Sequence, residues 1–265
     1  MPTNPPFSAP LDETAPCVAF ACAYARDAWP SRGRCAPGDI CVCAQSGRQI
    51  DRFLRRHPQE AGKFLADAFW ERRAIACRYA PLAAILPLRR DPDEVVRRVV
   101  ASRLPLQSLI DMARDPDREV RLSVALRLPP ENLLLLVGDP DYLVRVTLAK
   151  RLPHGQLTRL ARDPEREVRK AVARRLPAFA LSLLRDDPEP EIRALVASRA
   201  LPELAAHFLA DPEWWVRLAA LPRAPRPRLI PLLADPEPEI RNAVHTLLEG
   251  SMIGGAGESE TFPPA

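Results

Sequence analysis

Of the residues in this chain that can do chemistry, the six cysteines stand apart, because five of them crowd into residues 17–43 as Cys17-x4-Cys22-x12-Cys35-x5-Cys41-x-Cys43. No histidine lies inside that stretch, the nearest being His57, so a metal held there requires four thiolates. A structural zinc and a [4Fe–4S] cluster both accept such a set. Zinc ribbons usually present tight C-x2-C pairs, whereas the x4 and x5 loops here are looser and suit a larger cluster. Arg32, Arg34 and Arg48 would offset its negative charge. Disulfides are the competing use of the cysteines, but they persist mainly in oxidising compartments. Residues 1–16 carry neither the basic start nor the apolar run of a secretory signal, so the expected location is the cytoplasm.

These cysteines precede a chain with a strict internal period. Asp-Pro recurs at Asp91, Asp115, Asp139, Asp163, Asp187, Asp211 and Asp235, each 24 residues after the last. Two places after each Asp stands an acid (Asp93, Asp117, Asp141, Glu165, Glu189, Glu213, Glu237), five places after it Val or Ile, and six places after it an arginine: Arg97, Arg121, Arg145, Arg169, Arg193, Arg217 and Arg241. Asp is a good N-cap, Pro suits a first helical position, and a further acid favours the positive helix end, so each unit is expected to start a helix at its Asp. The aliphatic fifth and ninth residues and an alanine at the tenth (Ala101, Ala125, Ala149, Ala173, Ala197) make an apolar stripe facing the neighbouring repeat. Pro105, Pro129, Pro153 and Pro177 stop the helix one residue earlier. Segments such as 106–113 and 156–161 then have room for only one or two turns of α- or 3-10 helix.

Thirty-one prolines would suggest disorder in a featureless sequence, but here they punctuate a repeat. The period excludes tetratricopeptide, ankyrin and HEAT units, and the prolines closing each unit exclude the sheet of ordinary leucine-rich repeats. Asp67, Arg73, Cys77 and Pro81 fall 24 residues before their counterparts, which makes residues 67–90 a degenerate first repeat. Cys77 takes the alanine column there and reads as a buried structural thiol, or as a further ligand if the cap folds over that repeat. Leu221 and His245 break the same column late in the array, as expected of terminal repeats that face water.

The pattern D-P-x-x-x-V-R-x-x-x-A-x-R-L-P-x-x-x-L-x-x-L, seen from Asp163 and Pro164 through Val168, Arg169, Ala173, Arg175, Leu176, Pro177 and Leu181 to Leu184, resembles the leucine-rich repeat variant family. The resemblance implies an all-α solenoid of about eight repeats, with α-helices and short 3-10 helices alternating in a right-handed superhelix. The segment Arg32-Gly-Arg-Cys-Ala-Pro-Gly-Asp-Ile-Cys41, with residues 46–53, is similar to the iron–sulfur module that precedes the repeats in some members. It implies a [4Fe–4S] cluster on Cys22, Cys35 and Cys41, with Cys17 chosen as fourth ligand and Cys43 its competitor; structural zinc remains the alternative. The domains read as a cysteine-rich cap over residues 1–66, a helical array over 67–248 and a disordered tail over 249–265.

No phosphate-binding glycine motif, H-E-x-x-H or nucleophile with an adjacent base occurs, so an enzyme is not expected. The +4 net charge arises from 38 basic and 34 acidic residues finely interspersed, and no apolar run is long enough for a membrane span. Two functions follow. One is a scaffold for a protein partner, with the cluster structural or redox-responsive through the packing of the cap on the first repeat. The other is a nucleic-acid binder whose arginine column tracks phosphates. Against the second, the arginines could pair with the recurring acids in a buried ladder. Trp214 and Trp215 read either as an aromatic contact patch or as core filling.

Overall fold

The computed structural model describes residues 39–249. They are all-helical, without a strand, and divide into two compact units between Leu128 and Pro129. In the first unit, α1 (Gly47–Arg56) is followed by a 3-10 segment (Pro58–Phe64), then α2 (Trp70–Tyr79), α3 (Leu82–Ile85) running into a 3-10 turn, α4 (Glu94–Arg103), α5 (Leu106–Leu109) with its own 3-10 turn, and α6 (Arg118–Arg127). Successive long helices pack in chain order, α1 on α2, α2 on α4 and α4 on α6.

The second unit repeats the scheme. Its long helices are α7 (Tyr142–Arg151), α8 (Arg166–Arg175), α9 (Pro190–Ala197), α11 (Trp214–Ala220) and α12 (Pro238–Glu249), and a short α10 (Pro202–His207) lies between α9 and α11. The remaining connections are 3-10 segments such as His154–Leu160 and Ala178–Leu184. Here α7 packs on α8, α8 on α9, α9 on α11 and α11 on α12.

The apolar stripe is the core. Val96, Val100 and Ala101 in α4, and Val168, Val172 and Ala173 in α8, are fully buried, and so are Leu104 and Leu176, which close their helices in extended conformation before the proline. Alanine at the tenth place leaves room for the next helix to approach closely. Leucines of the 3-10 segments, Leu157 and Leu160 or Leu181 and Leu184, seal the other side. The late repeats are irregular, as their sequences lead one to expect. Helix α11 stops at Ala220 with Leu221 buried just beyond it, and α12 exposes His245 where earlier helices bury an alanine.

The helices start later than expected. The N-cap is the acid two places after the recurring Asp: the Asp93 carboxylate accepts from the amides of Val95 and Val96, Asp117 from Val120 and Asp141 from Leu143. The recurring Asp stands outside the helix because its carboxylate has other work. One oxygen of Asp115 accepts the amide of Asp117 at 2.9 Å, and the pair of oxygens receives a fork from the preceding repeat, Arg97 Nε at 2.8 Å and Nη2 at 3.0 Å. Nη1 of Arg97 meanwhile donates to the carbonyls of Asp91 and Pro92 at the start of its own helix.

The same rung is built by Arg73 and Asp91 in the first unit, and by Arg145–Asp163, Arg169–Asp187, Arg193–Asp211 and Arg217–Asp235 in the second. Two parallel charge-assisted hydrogen bonds fix both distance and rotation between neighbouring repeats, which apolar packing alone does not. The arginine column therefore forms the acid-paired ladder. A second arginine column, one residue before the Leu-Pro pair, satisfies the helix ends. Arg103 donates to the carbonyls of Cys77 and Ala80, and Arg175 to those of Ala149 and Leu152, the terminal carbonyls that have no partner inside their own helix.

The alternation begins ahead of Asp67. Helix α1 has ten residues, its C-cap His57 precedes Pro58, and a 3-10 segment follows, matching α4 with its C-cap Leu104 and Pro105. The part of the cap described here thus has the form of a repeat without its sequence. Ile50, Phe53 and Leu54 fill its core, and His57 packs against Phe53 in a tilted contact with ring centroids 5.0 Å apart.

Candidate metal centre

Three of the four predicted ligands, Cys17, Cys22 and Cys35, lie outside the described residues, as does most of the predicted tail. Cys41 lies within them, in the loop that leads into α1. Its amide donates to the Gln49 carbonyl at 3.3 Å, and its side chain is buried with Ile40 and Val42. The chain turns at Val42 and Cys43, so Cys43, two residues on, is exposed. The two thiols therefore occupy different environments despite their proximity in sequence.

This loop is held by the array. Arg72, in the first turn of α2, donates from Nε to the Val42 carbonyl at 2.7 Å and from Nη2 to the Ala44 carbonyl at 3.2 Å. Its Nη1 contacts both oxygens of Asp67 at 2.8 Å. One guanidinium thus clamps the main chain on either side of Cys43 and neutralises the first Asp of the array. In the other repeats this place, five after the Asp, is the buried valine or isoleucine column.

Two further contacts dock α1. Its first residue is Gly47, where an added Cβ would lie 2.0 Å from Oε1 of Glu71, so the Glu71 carboxylate packs directly against the positive end of the helix. Midway along α1, Asp51 accepts the Tyr79 hydroxyl at 2.8 Å and pairs with Arg55 and Arg78. Arg52 pairs with Asp39 ahead of the loop.

Cys77 is different. It is fully buried in α2, and burial, with a smaller contribution from Asp91, pushes its thiol up to about 12. Metal ligation needs a thiolate, which this setting opposes, and the side chain packs as a core residue in the alanine column. Among the described residues no three His, Cys, Asp or Glu side chains gather in a metal-binding cluster. Cys41 is the one predicted ligand among the described residues, on a loop whose main chain Arg72 holds through the Val42 and Ala44 carbonyls. His207 Nε2 lies 3.6 Å from Asp186 in an open cleft beside the Arg193–Asp211 rung, with both side chains exposed.

The arginine ladder bears on the nucleic-acid reading. Arg97, Arg169 and Arg217 are buried, and the forks of these and of Arg73, Arg145 and Arg193 are spent on aspartates. Phosphates cannot reach donors so committed. Trp214 is exposed at the first position of α11, as Trp70 and Tyr142 are in α2 and α7, while Trp215 is half-buried. Among the described residues no helix is long and apolar enough to cross a membrane.

Sequence reasoning missed Arg72 and the second arginine column. The signal for Arg72 was a departure: an arginine in a column otherwise Val or Ile. The signal for the other was the recurring Arg-Leu-Pro of Arg103, Arg127, Arg151 and Arg175.

The family model for the leucine rich repeat variant matches residues 118–141 and 166–189. Among solved structures, one described as a leucine-rich repeat variant with a novel repetitive protein structural motif is 53% identical, covers 80% of this chain and 91% of its own, and superposes with a TM-score of 0.74. Two engineered proteins, each 17% identical, give TM-scores of 0.34 and 0.22; the alignments cover 77% and 75% of this chain and 70% and 98% of theirs. Among curated proteins none matches. With more than half of the aligned residues identical across nine-tenths of the first of these structures, and the same unit recurring down both parts of the molecule, the chain belongs to the leucine-rich repeat variant family.

Proposed function

We propose that this chain is a repeat scaffold that carries a [4Fe–4S] cluster on Cys17, Cys22, Cys35 and Cys41 and binds a protein partner through its helical array. The observation that carries the reading is the Arg72 bridge, which ties the cysteine loop to the first array helix and so gives the state of the site a path to the array. When bound, the cluster supplies a one-electron couple. The Arg72 bonds to the Val42 and Ala44 carbonyls hold the loop that bears Cys41, and the buried, core-packed Cys77 thiol favours the loop cysteines as ligands. Thiolate ligation belongs in a reducing compartment, in keeping with a cytoplasmic location.

A protein partner suits the surface better than a phosphate chain does. Leu82, Leu106 and Ile110 in the first unit, and Phe179, Leu183 and Ile230 in the second, are exposed on the short helical segments, and exposed apolar side chains in groups mark protein contacts. Oxidation or reduction of the cluster then alters how the loop sits on α2 and changes partner affinity.

Anaerobic purification followed by iron, acid-labile sulfide and zinc analysis tests the cofactor. About four irons and four sulfides, lost in Cys35→Ala and Cys41→Ala but kept in Cys77→Ala, is the expected result. Stoichiometric zinc without sulfide makes the site a structural clip and removes the redox half. Steeply salt-dependent retention of DNA or RNA in a filter assay would instead favour the nucleic-acid reading.

A further inference from the structure

We propose that the C-terminal edge of the long helices in the second unit is a docking surface for an acidic, apolar-bearing segment of a protein partner. Naming the partner's chemistry rests on the scaffold reading above; it does not rest on the cluster.

Two sets of bonds show that the long helices of this unit run side by side in one direction. The Arg145–Asp163 and Arg169–Asp187 rungs join their beginnings, while Arg175 and Arg199 reach back to the terminal carbonyls of the helix before, Ala149 and Leu152 at the end of α7, Ala173 and Leu176 at the end of α8. Arg226, beyond α11, donates in the same way to the Leu247 carbonyl near the end of α12 at 2.8 Å. The helix ends therefore share one edge.

Charge is divided between the two edges. Asp141, Glu165, Glu189, Glu213 and Glu237 stand where the helices begin. Lys150, Arg174, Arg175, Arg199, Arg223 and Arg228 stand where they end, with Glu203 and Glu249 the acids beside them. Lys150, Arg174, Arg223 and Arg228 are exposed and pair with no carboxylate among the described residues. A cation in the last turn offsets the negative helix end, which accounts for one per helix. The excess is not a demand of the fold. The residue before the second arginine column is Ser102 in α4, Leu126 in α6 and Ser198 in α9, and in α2 it is an Arg78 that Asp51 neutralises; in α7 and α8 it is Lys150 and Arg174. Arg223 and Arg228 lie beyond the end of α11.

The inner ladder spends its forks on aspartates. At this edge main-chain carbonyls hold the arginines instead, which fixes a guanidinium without neutralising it, and Arg175 uses Nη1 alone, so its Nε and Nη2 remain for an acceptor from outside. Apolar surface lies beside these cations: Phe179, two residues after Pro177, is 77% exposed, and Leu201, just before Pro202, is 49% exposed. A phosphate chain has no use for Leu201 and is repelled by the exposed Glu203 next to it, whereas a protein segment covers the first and leaves the second to water. Helices packed about 8–10 Å apart and an extended segment rising about 3.3 Å per residue bring a carboxylate at every third residue to successive helix ends.

The probe is a fluorescein-labelled peptide with Glu at every third place and Leu and Ser between, titrated into the full-length protein by fluorescence anisotropy, with an oligothymidine of equal charge alongside. Arg174→Glu combined with Arg223→Glu is expected to weaken peptide binding at least about tenfold, and Phe179→Ser combined with Leu201→Ser at least about fivefold. Arg159→Glu combined with Arg162→Glu changes the net charge equally at exposed positions that lead into Asp163, and is expected to leave the affinity unchanged. None of these four arginines donates a side-chain hydrogen bond, so the substitutions leave the fold intact.

Equal losses in the two charge-reversed pairs would reduce the effect to net charge and overturn the proposal. Tighter binding of oligothymidine, lost with Arg174 and Arg223, would make the edge a nucleic-acid surface instead. A dimer of the free protein that the same pair dissolves would make the occupant the acidic edge of a second copy. Peptide binding that no edge variant weakens overturns the proposal and leaves the scaffold reading standing. Binding of neither probe overturns the acidic partner, but not the exposed apolar side chains of the short segments on which the scaffold reading stands.

Discussion

Asp115 and Asp67 hold the same place in their repeats and solve the same problem differently. Asp115 receives its arginine from the repeat before it, so the bidentate pair joins two units and is shut away from water on both sides, with side chains 11% and 5% exposed for Arg97 and Asp115. Asp67 receives Arg72 from five residues on in its own unit, in a pair that is 15% and 21% exposed and shares the guanidinium with two loop carbonyls. An inner rung sets the register between neighbours; the end rung turns the ladder toward a loop of different chemistry. A repeat array can thus end by redirecting a recurring interaction, with Ile50, in the place that Arg97 holds in α4, removing the donor and Arg72 replacing it.

If that distinction is right, the two aspartates differ in cost. Asp163→Ala leaves Nε and Nη2 of the largely buried Arg145 without acceptors, though Nη1 keeps the Asp139 and Pro140 carbonyls, and removes the acceptor for the Glu165 amide, a loss of about 3 kcal/mol. Asp67→Ala likewise removes the acceptor for the Phe69 amide, but it leaves Nε and Nη2 of Arg72 on the Val42 and Ala44 carbonyls in a more exposed setting, and is expected to cost about 1–2 kcal/mol, the size of a charge-assisted bond near the surface. Urea unfolding of both variants, with thermal shifts on the order of 10 °C for the first, checks this; equal losses would erase the contrast between inner and end rungs.

Acid sharpens the account of the inner rungs. Burial acts to raise Asp211 and Asp235, but the forks of Arg193 and Arg217 and the amides of Glu213 and Glu237 outweigh it and hold both carboxyls below the usual carboxylate range. A folded pKa below the unfolded value of about 3.9 contributes stability that is complete above that pH and is lost as pH falls through the folded value. Unfolding midpoints should hold steady down to about pH 4 and then decline. Arg193→Met should flatten that decline, and a midpoint independent of pH between 4 and 2 would show that the rungs carry no such linkage.

How much of this was legible depended on whether the sequence repeats. The columns of Val96, Val100 and Ala101 gave the core, the proline after Leu104 gave the helix end, and the coincidence of Asp and Arg at a fixed separation made a ladder readable, because each signal was printed several times over. The helix start was misplaced by two residues. Asp and the acid after the proline can both cap, and only the three-dimensional demand of Arg97 for a carboxylate decides that Asp115 is the anchor and Asp117 the cap. Arg72 was hidden for the opposite reason: it occurs once, and its partners are backbone carbonyls of Val42 and Ala44, which no side-chain pattern records. The repeat-like form of α1 escaped notice because it keeps the helix, the proline and the 3-10 segment while dropping the Asp, the Arg and the alanine.

Cys77 divides the first repeat's departures into those that matter for the site and those that do not. Its thiol, held near 12 by burial, should resist iodoacetamide in native protein at pH 8, whereas unfolding should expose it to reaction. Cys77→Ala restores the column residue and is expected to cost about 1 kcal/mol or less, with iron content unchanged. Loss of metal in this variant alone would move Cys77 into the ligand set and make the first repeat part of the centre.

The smallest effect comes from the caps. Asp93, Asp117 and Asp141 cap their helices with a side chain, while Glu165 occupies the same position at the start of α8 and makes no such bond, because its extra methylene carries the carboxylate past the amides. Glu165→Asp should therefore stabilise the protein by about 0.5–1 kcal/mol, and Asp141→Ala should destabilise it by about 1 kcal/mol. Neither change touches a rung. If Glu165→Asp proved as disruptive as Asp163→Ala, the division of labour between the anchoring Asp and the capping acid two places later would be wrong, and with it the reason the helices begin where they do.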